Sequence, residues 1–290
     1  MSLTSGARRG VSLVEIVVAL ALLGIAGGMV LRSTVALSRH AVAVSEHTAV
    51  QGSVRTGLLL LESELRGLGG DPAGTADLLK IAADSVTYRA VRGQGLTCGV
   101  TATQVRILDA WPYPFSGLRA IAPGRDSLLL FVDGDTDDPL DDRWIRAPIL
   151  AVASAACGTV PALAVSTTDL AASLPPAGLA SVVQGGPVLT FEVMRTAEYA
   201  SGGRRWLGTA SVSAGELIQP VAGPLDGTGL TLEYLSANGT PVVDLALVRR
   251  IRVTLVAAGE RAVARNWSTG PAAVAAETLG TEIFLRNAPR

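Results

Sequence analysis

The sequence predicts an α+β protein, a long N-terminal helix followed by a body of antiparallel β-structure. Three observations predict it. Residues 11–31 are apolar apart from one charge, Glu15. Residues 32–68 then alternate apolar and charged positions at helical spacing. Beyond Asp71 the helical period fades, and turn residues separate short runs rich in β-branched and aromatic side chains. With 290 residues, 49% of them hydrophobic, the chain can bury a sizeable core.

The helix is the first element. Val11 to Leu31 spans about 31 Å as a helix, the thickness of a bilayer core. From Arg32 the apolar positions Val35, Ala36, Val42, Ala43, Val50, Val54, Leu58, Leu61, Leu65 and Leu68 follow spacings of three, four and seven. Charges interleave at Arg39, Glu46, Arg55, Glu62, Glu64 and Arg66, and Gly67, Gly69, Gly70 and Pro72 end the run. Glycines at 24, 27, 28, 52 and 57 weaken the helix; the first three mark a bend or a close helix–helix contact. The expected organisation is a leader at 1–10, a membrane-spanning half at 11–31, an amphipathic half at 32–70 and a β-rich body at 71–290.

In the body, strands are predicted at Ser85–Val91, Gln104–Leu108, Ser127–Val132, Ile145–Val152, Val188–Met194, Trp206–Val212, Leu230–Leu235 and Val248–Val256. Gly124-Arg125-Asp126 and Asn238-Gly239 read as turns. Residues 151–186, rich in Ala, Ser, Thr and Pro, read as a loop-rich insertion or a weak subdomain.

Three readings of the N-terminus compete. A secretory signal peptide cut near Ala26 fits the small residues, but its apolar region would not carry Glu15. A plain membrane anchor fits the length. Arg8 and Arg9 before the run place the N-terminus inside and the body outside. The third reading rests on Gly10-Val11-Ser12-Leu13-Val14-Glu15-Ile16-Val17-Val18-Ala19-Leu20, which resembles the class III signal of type IV pilins and type II secretion pseudopilins. That resemblance implies cleavage after Gly10 by a prepilin peptidase and N-methylation of Val11, where the family usually has Phe. It also implies that Glu15, the fifth residue of the mature chain, pairs with the N-terminal amine of a neighbouring subunit as the helix leaves the bilayer for a filament. A subunit at the extreme tip can lack this glutamate, so Glu15 implies a subunit ahead. Read from the residue alone, Glu15 equally suits a side chain that snorkels to the headgroups.

Body segments carry a looser resemblance. Residues 126–135, 230–239, 249–255 and 284–287 are similar, in that order, to large minor pilins of the PilW type and to J-type minor pseudopilins. The implied partners are other pilin or pseudopilin subunits, the prepilin peptidase and the inner membrane. The filament system (type IV pilus, type II secretion or DNA uptake) is left open, and so is a membrane-anchored binding module that does not polymerise.

The chemistry of an enzyme is largely missing. Lys80, the only lysine among 24 basic residues, follows Asp-Leu-Leu and not a phosphate-binding loop. Gly93–Gly99 misses the dinucleotide pattern by one residue, and the only histidines, His40 and His47, fall on the predicted helix. No enzyme activity and no resident cofactor are expected. One acidic loop is the exception. Asp133, Asp135 and Asp137, with Asp141 and Asp142 beyond, suit Ca²⁺ by charge and spacing, and calcium-binding loops occur in some pseudopilins. A solvated acidic loop fits the same residues. Cys98 and Cys157 read as a disulfide outside the cytoplasm or as two buried thiols. Arg204-Arg205-Trp206 and Arg249-Arg250-Ile251-Arg252 are the basic clusters. The net charge of −1 argues against DNA as a partner without excluding it.

Overall fold

A single helix, α1 (Leu13–Leu65), opens a computed structural model of the chain; its 53 residues extend about 80 Å. The residues described are 10, 12–69, 77–135, 137–138, 142–170, 173–174, 178–264 and 272–286. The chain forms two units, one made of Met1–Val50 with Gly259–Ala275 and the other of Gln51–Ala258 with Ala276–Arg290.

Among the described residues twelve strands follow the helix: β1 (Leu78–Ala82), β2 (Ser85–Thr101), β3 (Gln104–Leu108), β4 (Ser116–Gly117), β5 (Ser127–Val132), β6 (Arg143–Cys157), β7 (Val160–Thr167), β8 (Pro187–Ser201), β9 (Arg204–Ser211), β10 (Gln219–Leu235), β11 (Arg250–Ala264) and β12 (Ala272–Phe284). The predicted α+β class holds, with antiparallel strands throughout the described pairings.

The sheet closes on itself. β2 pairs with β3, β3 with β7, β7 with β6, β6 with β5 and β5 with β8. β8 then pairs with β2 over eleven residue positions, from Ser85↔Ala197 to Leu96↔Pro187. These six strands form a small barrel. Its interior is filled, as small barrels require, by Val105, Ile107, Leu128, Leu130, Ile145, Ile149, Val165 and Val188. The wall at β2 is built from glycine for lack of room. A Cβ on Gly95 would lie 2.5 Å from Ile107 Cγ2, and one on Gly93 would lie 2.3 Å from Phe115 Cζ. The Gly-Gln-Gly stretch therefore serves the packing of a barrel wall.

Beyond the barrel, the strands continue as β8-β9-β10-β11-β12, with β1 on the other side of β2. Residues 51–65 of α1 lie on this part. Val54, Leu61 and Leu65 are at most 1% exposed. Gly57 is the point of closest approach: a Cβ there would stand 3.0 Å from Leu255 and 3.1 Å from Ala222 and Leu207. The helix stops where glycine begins. Leu68 N–H returns to Leu65 O, and Gly69 N–H is taken by the carboxylate of Asp77 at 2.8 Å.

Three expectations need correction. Residues 151–167 are not part of a loop-rich insertion: β6 runs on to Cys157, turns at Gly158 (φ +63°) and returns as β7, whereas the described part of 168–186 holds a short 3-10 turn at Gly178–Ser181 and a bridge at Val182. β12 lies in a stretch where no strand is expected. Both segments are rich in Ala, which has weak strand preference, so cross-strand pairing overrides composition. Along α1, Val35 and Val42 stay exposed, while Ala36, Ala43, Glu46 and Val50 form the partly or fully covered line.

Candidate functional site

The apolar half of α1 begins at Ser12, whose carbonyl accepts from Glu15 N–H at 3.0 Å and Ile16 N–H at 3.2 Å. Glu15 thus sits in the first turn, where the helix dipole favours a negative charge. Behind it the helix is apolar on every face. Its most apolar 18-residue window has a mean hydropathy of 2.4, and none of it is buried. Leu13 is 78% exposed and Leu31 67%. The helix is long and apolar enough to span a membrane. Glu15 has no ion-pair partner among the described residues. A Cβ built on Gly24, Gly27 or Gly28 meets nothing within 4 Å, so no packing within the described residues calls for glycine there. Gly10 is exposed directly before this helix. Val11 and residues 1–9 lie outside the described residues.

Further along the same unit, the Glu46 carboxylate accepts the backbone N–H of Glu260 at 3.2 Å. Half-covered Ala36 and Ala43 lie on the same helix face as Glu46.

In the other unit, Cys98 and Cys157 form a disulfide with Cα atoms 6.1 Å apart. It links β2 to β6 across the barrel wall that β3 and β7 complete. Asp133, Asp135, Asp137 and Asp142 fall on the β5–β6 connection, while Asp141 lies outside the described residues. Asp135 accepts Asp137 N–H at 3.1 Å through its carboxylate and Asp138 N–H at 2.9 Å through its carbonyl. These contacts shape a turn. Among the described residues no three His, Cys, Asp or Glu side chains are grouped to hold a metal ion.

Both basic clusters face carboxylates. Arg205 donates to Glu198 at 2.6 Å, Arg250 to Glu282 at 3.1 Å and Arg252 to Glu233 at 2.7 Å. Arg249 donates to the carbonyls of Ala246 and Val248.

One charged cluster is not singled out by the sequence reading. Glu192 on β8 is 1% exposed. It accepts from Arg125 Nε at 2.5 Å and from Arg92 and Arg119 at 3.2 Å. Arg92 also meets Glu64 of α1 at 3.0 Å, Arg119 makes a two-armed contact with Asp126, and Arg125 reaches Glu216. Burial raises the Glu192 carboxyl, but hydrogen bonds from Ser211, Arg125, Arg92 and Arg119 outweigh it and hold it below its usual range. A lone carboxylate inside V-L-T-F-E-V-M was the available signal. The cluster fastens the helix to the barrel, since Glu64 belongs to one and Glu192 to the other. Comparisons with protein-family models, with curated proteins and with solved structures find no match to this chain.

Proposed function

We propose that the chain is a minor pilin or pseudopilin, a structural subunit of a type IV pilus-like filament. In this reading a prepilin peptidase cuts between Gly10 and Val11, and Val11 is N-methylated. Residues 11–31 hold the subunit in the inner membrane, with the N-terminus cytoplasmic before assembly and the body periplasmic or later extracellular. The subunit then enters the filament during initiation or near the tip.

The observation that carries the reading is Glu15. It is the one charge in a helix segment that is otherwise apolar and uncovered on all faces. A carboxylate at the bilayer centre costs about 2.5–3.5 kcal/mol, less near the interface. The α-amine of a neighbouring subunit offsets that cost only when helices pack side by side. The exposed glycines at 24, 27 and 28 suit such packing, because small residues let helix backbones approach. The alternative, an anchored binding module that does not polymerise, accounts for the helix but gives Glu15 no role beyond snorkelling.

Mass spectrometry of the mature N-terminus tests the proposal. A chain starting at Val11 and carrying one methyl group supports it. A start near Gly27, or an intact Met1, removes it.

A further inference from the structure

The β3–β4 connection, Asp109–Phe115, is pinned at both ends and apolar in between. Asp109 N–H bonds to Pro161 O at 3.0 Å, and Leu118 N–H to Arg92 O at 2.9 Å. Phe115 points inward against Gly93 and Gly95. Between these anchors Tyr113 N–H closes a tight turn on Ala110 O at 2.8 Å. That turn presents Trp111, 90% exposed, and Tyr113, 58% exposed. Pro112 and Pro114 restrict the backbone beside both rings. Two aromatic side chains are thus held in water on a fixed support, where burying either would have stabilised the fold.

We infer that this turn is a binding platform for a neutral oligosaccharide. Three arguments choose that ligand. Aromatic side chains bury about 150–250 Å² each, so the two rings supply about 300–500 Å², short of the ~800 Å² per partner that a stable protein interface needs. The segment carries a single charge, Asp109. Both flanking cations are engaged: Arg106 donates to Ala156 O at 3.3 Å, and Arg119 is committed to Asp126 at 2.6 Å and to Glu192 at 3.2 Å, while the segment itself holds no arginine for an anionic sugar or lipid headgroup. The rings also combine flat apolar faces with an indole N–H and a phenol O–H. A pyranose offers the complement, a C–H face rimmed by hydroxyls. Residues 111 and 113 are at most about 7 Å apart along the backbone, which suits one or two sugar units.

The test uses the full chain in micelles of a zwitterionic detergent, since a maltoside headgroup would compete. The probes are neutral hexasaccharides of glucose, galactose, mannose and N-acetylglucosamine, read by saturation-transfer NMR and tryptophan fluorescence. The expected result is binding of at least one probe. It should weaken about tenfold or more in Trp111→Ala and several-fold in Tyr113→Ala. Leu217→Ala, which alters an equally exposed apolar residue elsewhere (82%), should leave binding unchanged. All three variants should melt as the parent does, because the side chains removed are solvated. Failure of every probe to bind, or equal binding by Trp111→Ala, overturns the inference. Trp111-dependent attachment to phosphatidylcholine vesicles, or Trp111-dependent self-association in sedimentation, also overturns it and assigns the platform to lipid or to a second copy.

Discussion

Ser53 of α1 and Gly223 of β10 are joined by two hydrogen bonds through one hydroxyl. Ser53 Oγ donates to Gly223 O at 3.0 Å and accepts from Gly223 N–H at 2.7 Å. The helix thereby satisfies both backbone groups of a residue at an irregularity in the β10–β9 pairing, which shifts register between Ala222 and Leu225. Gly223 has a φ of +142°, and a Cβ there would lie 2.8 Å from the Trp206 ring. Ser53→Ala leaves a part-buried N–H and C=O without their partner. Urea denaturation of the full chain in micelles should show a loss of about 1–3 kcal/mol. An unchanged midpoint would mean that water replaces the hydroxyl.

Two glycines of the same helix should respond in opposite directions. Gly52 is open to solvent, with nothing within 4 Å of a built Cβ. Gly52→Ala should stabilise by up to about 1 kcal/mol through helix propensity. Gly57 meets Leu255, Ala222 and Leu207 at 3.0–3.1 Å. Gly57→Leu should destabilise by about 1–3 kcal/mol through overpacking, despite the same gain in propensity. Thermal melts of the two variants compare the effects directly. Stabilisation by both would show that the helix can lift from β11 at little cost.

The Glu192 cluster predicts a pH dependence with a definite sign. The folded carboxyl is depressed relative to the unfolded one, near 4.3. Its contribution is therefore fully present above that value and is lost as pH falls through the folded value. Glu192→Gln should cost about 3 kcal/mol at neutral pH, the low end for breaking a buried pair. The low end applies because Arg92 keeps Glu64, Arg119 keeps Asp126 and Arg125 keeps Glu216. Measured against pH, the gap between parent and variant should hold from neutrality to about pH 5 and narrow below about 4. A gap that widens in acid would contradict the assignment.

Local signals were legible in the sequence and long-range closure was not. Gln104–Leu108 and Ser127–Val132 are strands at the predicted bounds, because each alternates or runs apolar between turn residues. The helix was readable from spacing alone, and so were Ala36, Ala43 and Val50 of its covered line, but spacing did not separate them from exposed Val35 and Val42 or add Glu46, since burial depends on what packs there. The barrel depends on β2 meeting β8, residues about a hundred positions apart in sequence, and nothing local encodes that pairing. β7 and β12 were hidden by alanine. Glu192 left a trace, a carboxylate in an apolar strand, but its three arginines come from β2 and from the loop after β4. The motif around Glu15 is local and so open to a sequence reading, and the described residues put no ion-pair partner beside it.

The disulfide tests how far the barrel depends on a covalent tie. Cys98 and Cys157 are 59 residues apart in sequence and join β2 to β6. In the chain-entropy model a loop of that length contributes about 4 kcal/mol. Replacing both cysteines with alanine should lower stability by about that amount while leaving the far-ultraviolet spectrum unchanged at low temperature. The β2–β3, β3–β7 and β7–β6 pairings already connect the two strands. A loss well below 1 kcal/mol would mean that those pairings constrain the unfolded chain little less than the bond does.

Glu15→Ala separates assembly from anchoring. Removing the carboxylate makes the helix more apolar, so membrane insertion should be kept or improved. Loss of the partner for a neighbouring amine should reduce recovery in the sheared filament fraction about tenfold or more, with the membrane pool unchanged. Glu15→Gln should fail to the same extent, because it keeps the shape and a hydrogen-bonding group but not the charge. Glu15→Asp, with the charge drawn back by about one bond length, should recover part of the yield. Fractionation and immunoblotting of the four forms give the comparison. If the alanine form enters filaments as well as the parent does, the pairing role of Glu15 is wrong. If no form enters filaments while all remain in the membrane, the anchored module that does not polymerise is the better reading.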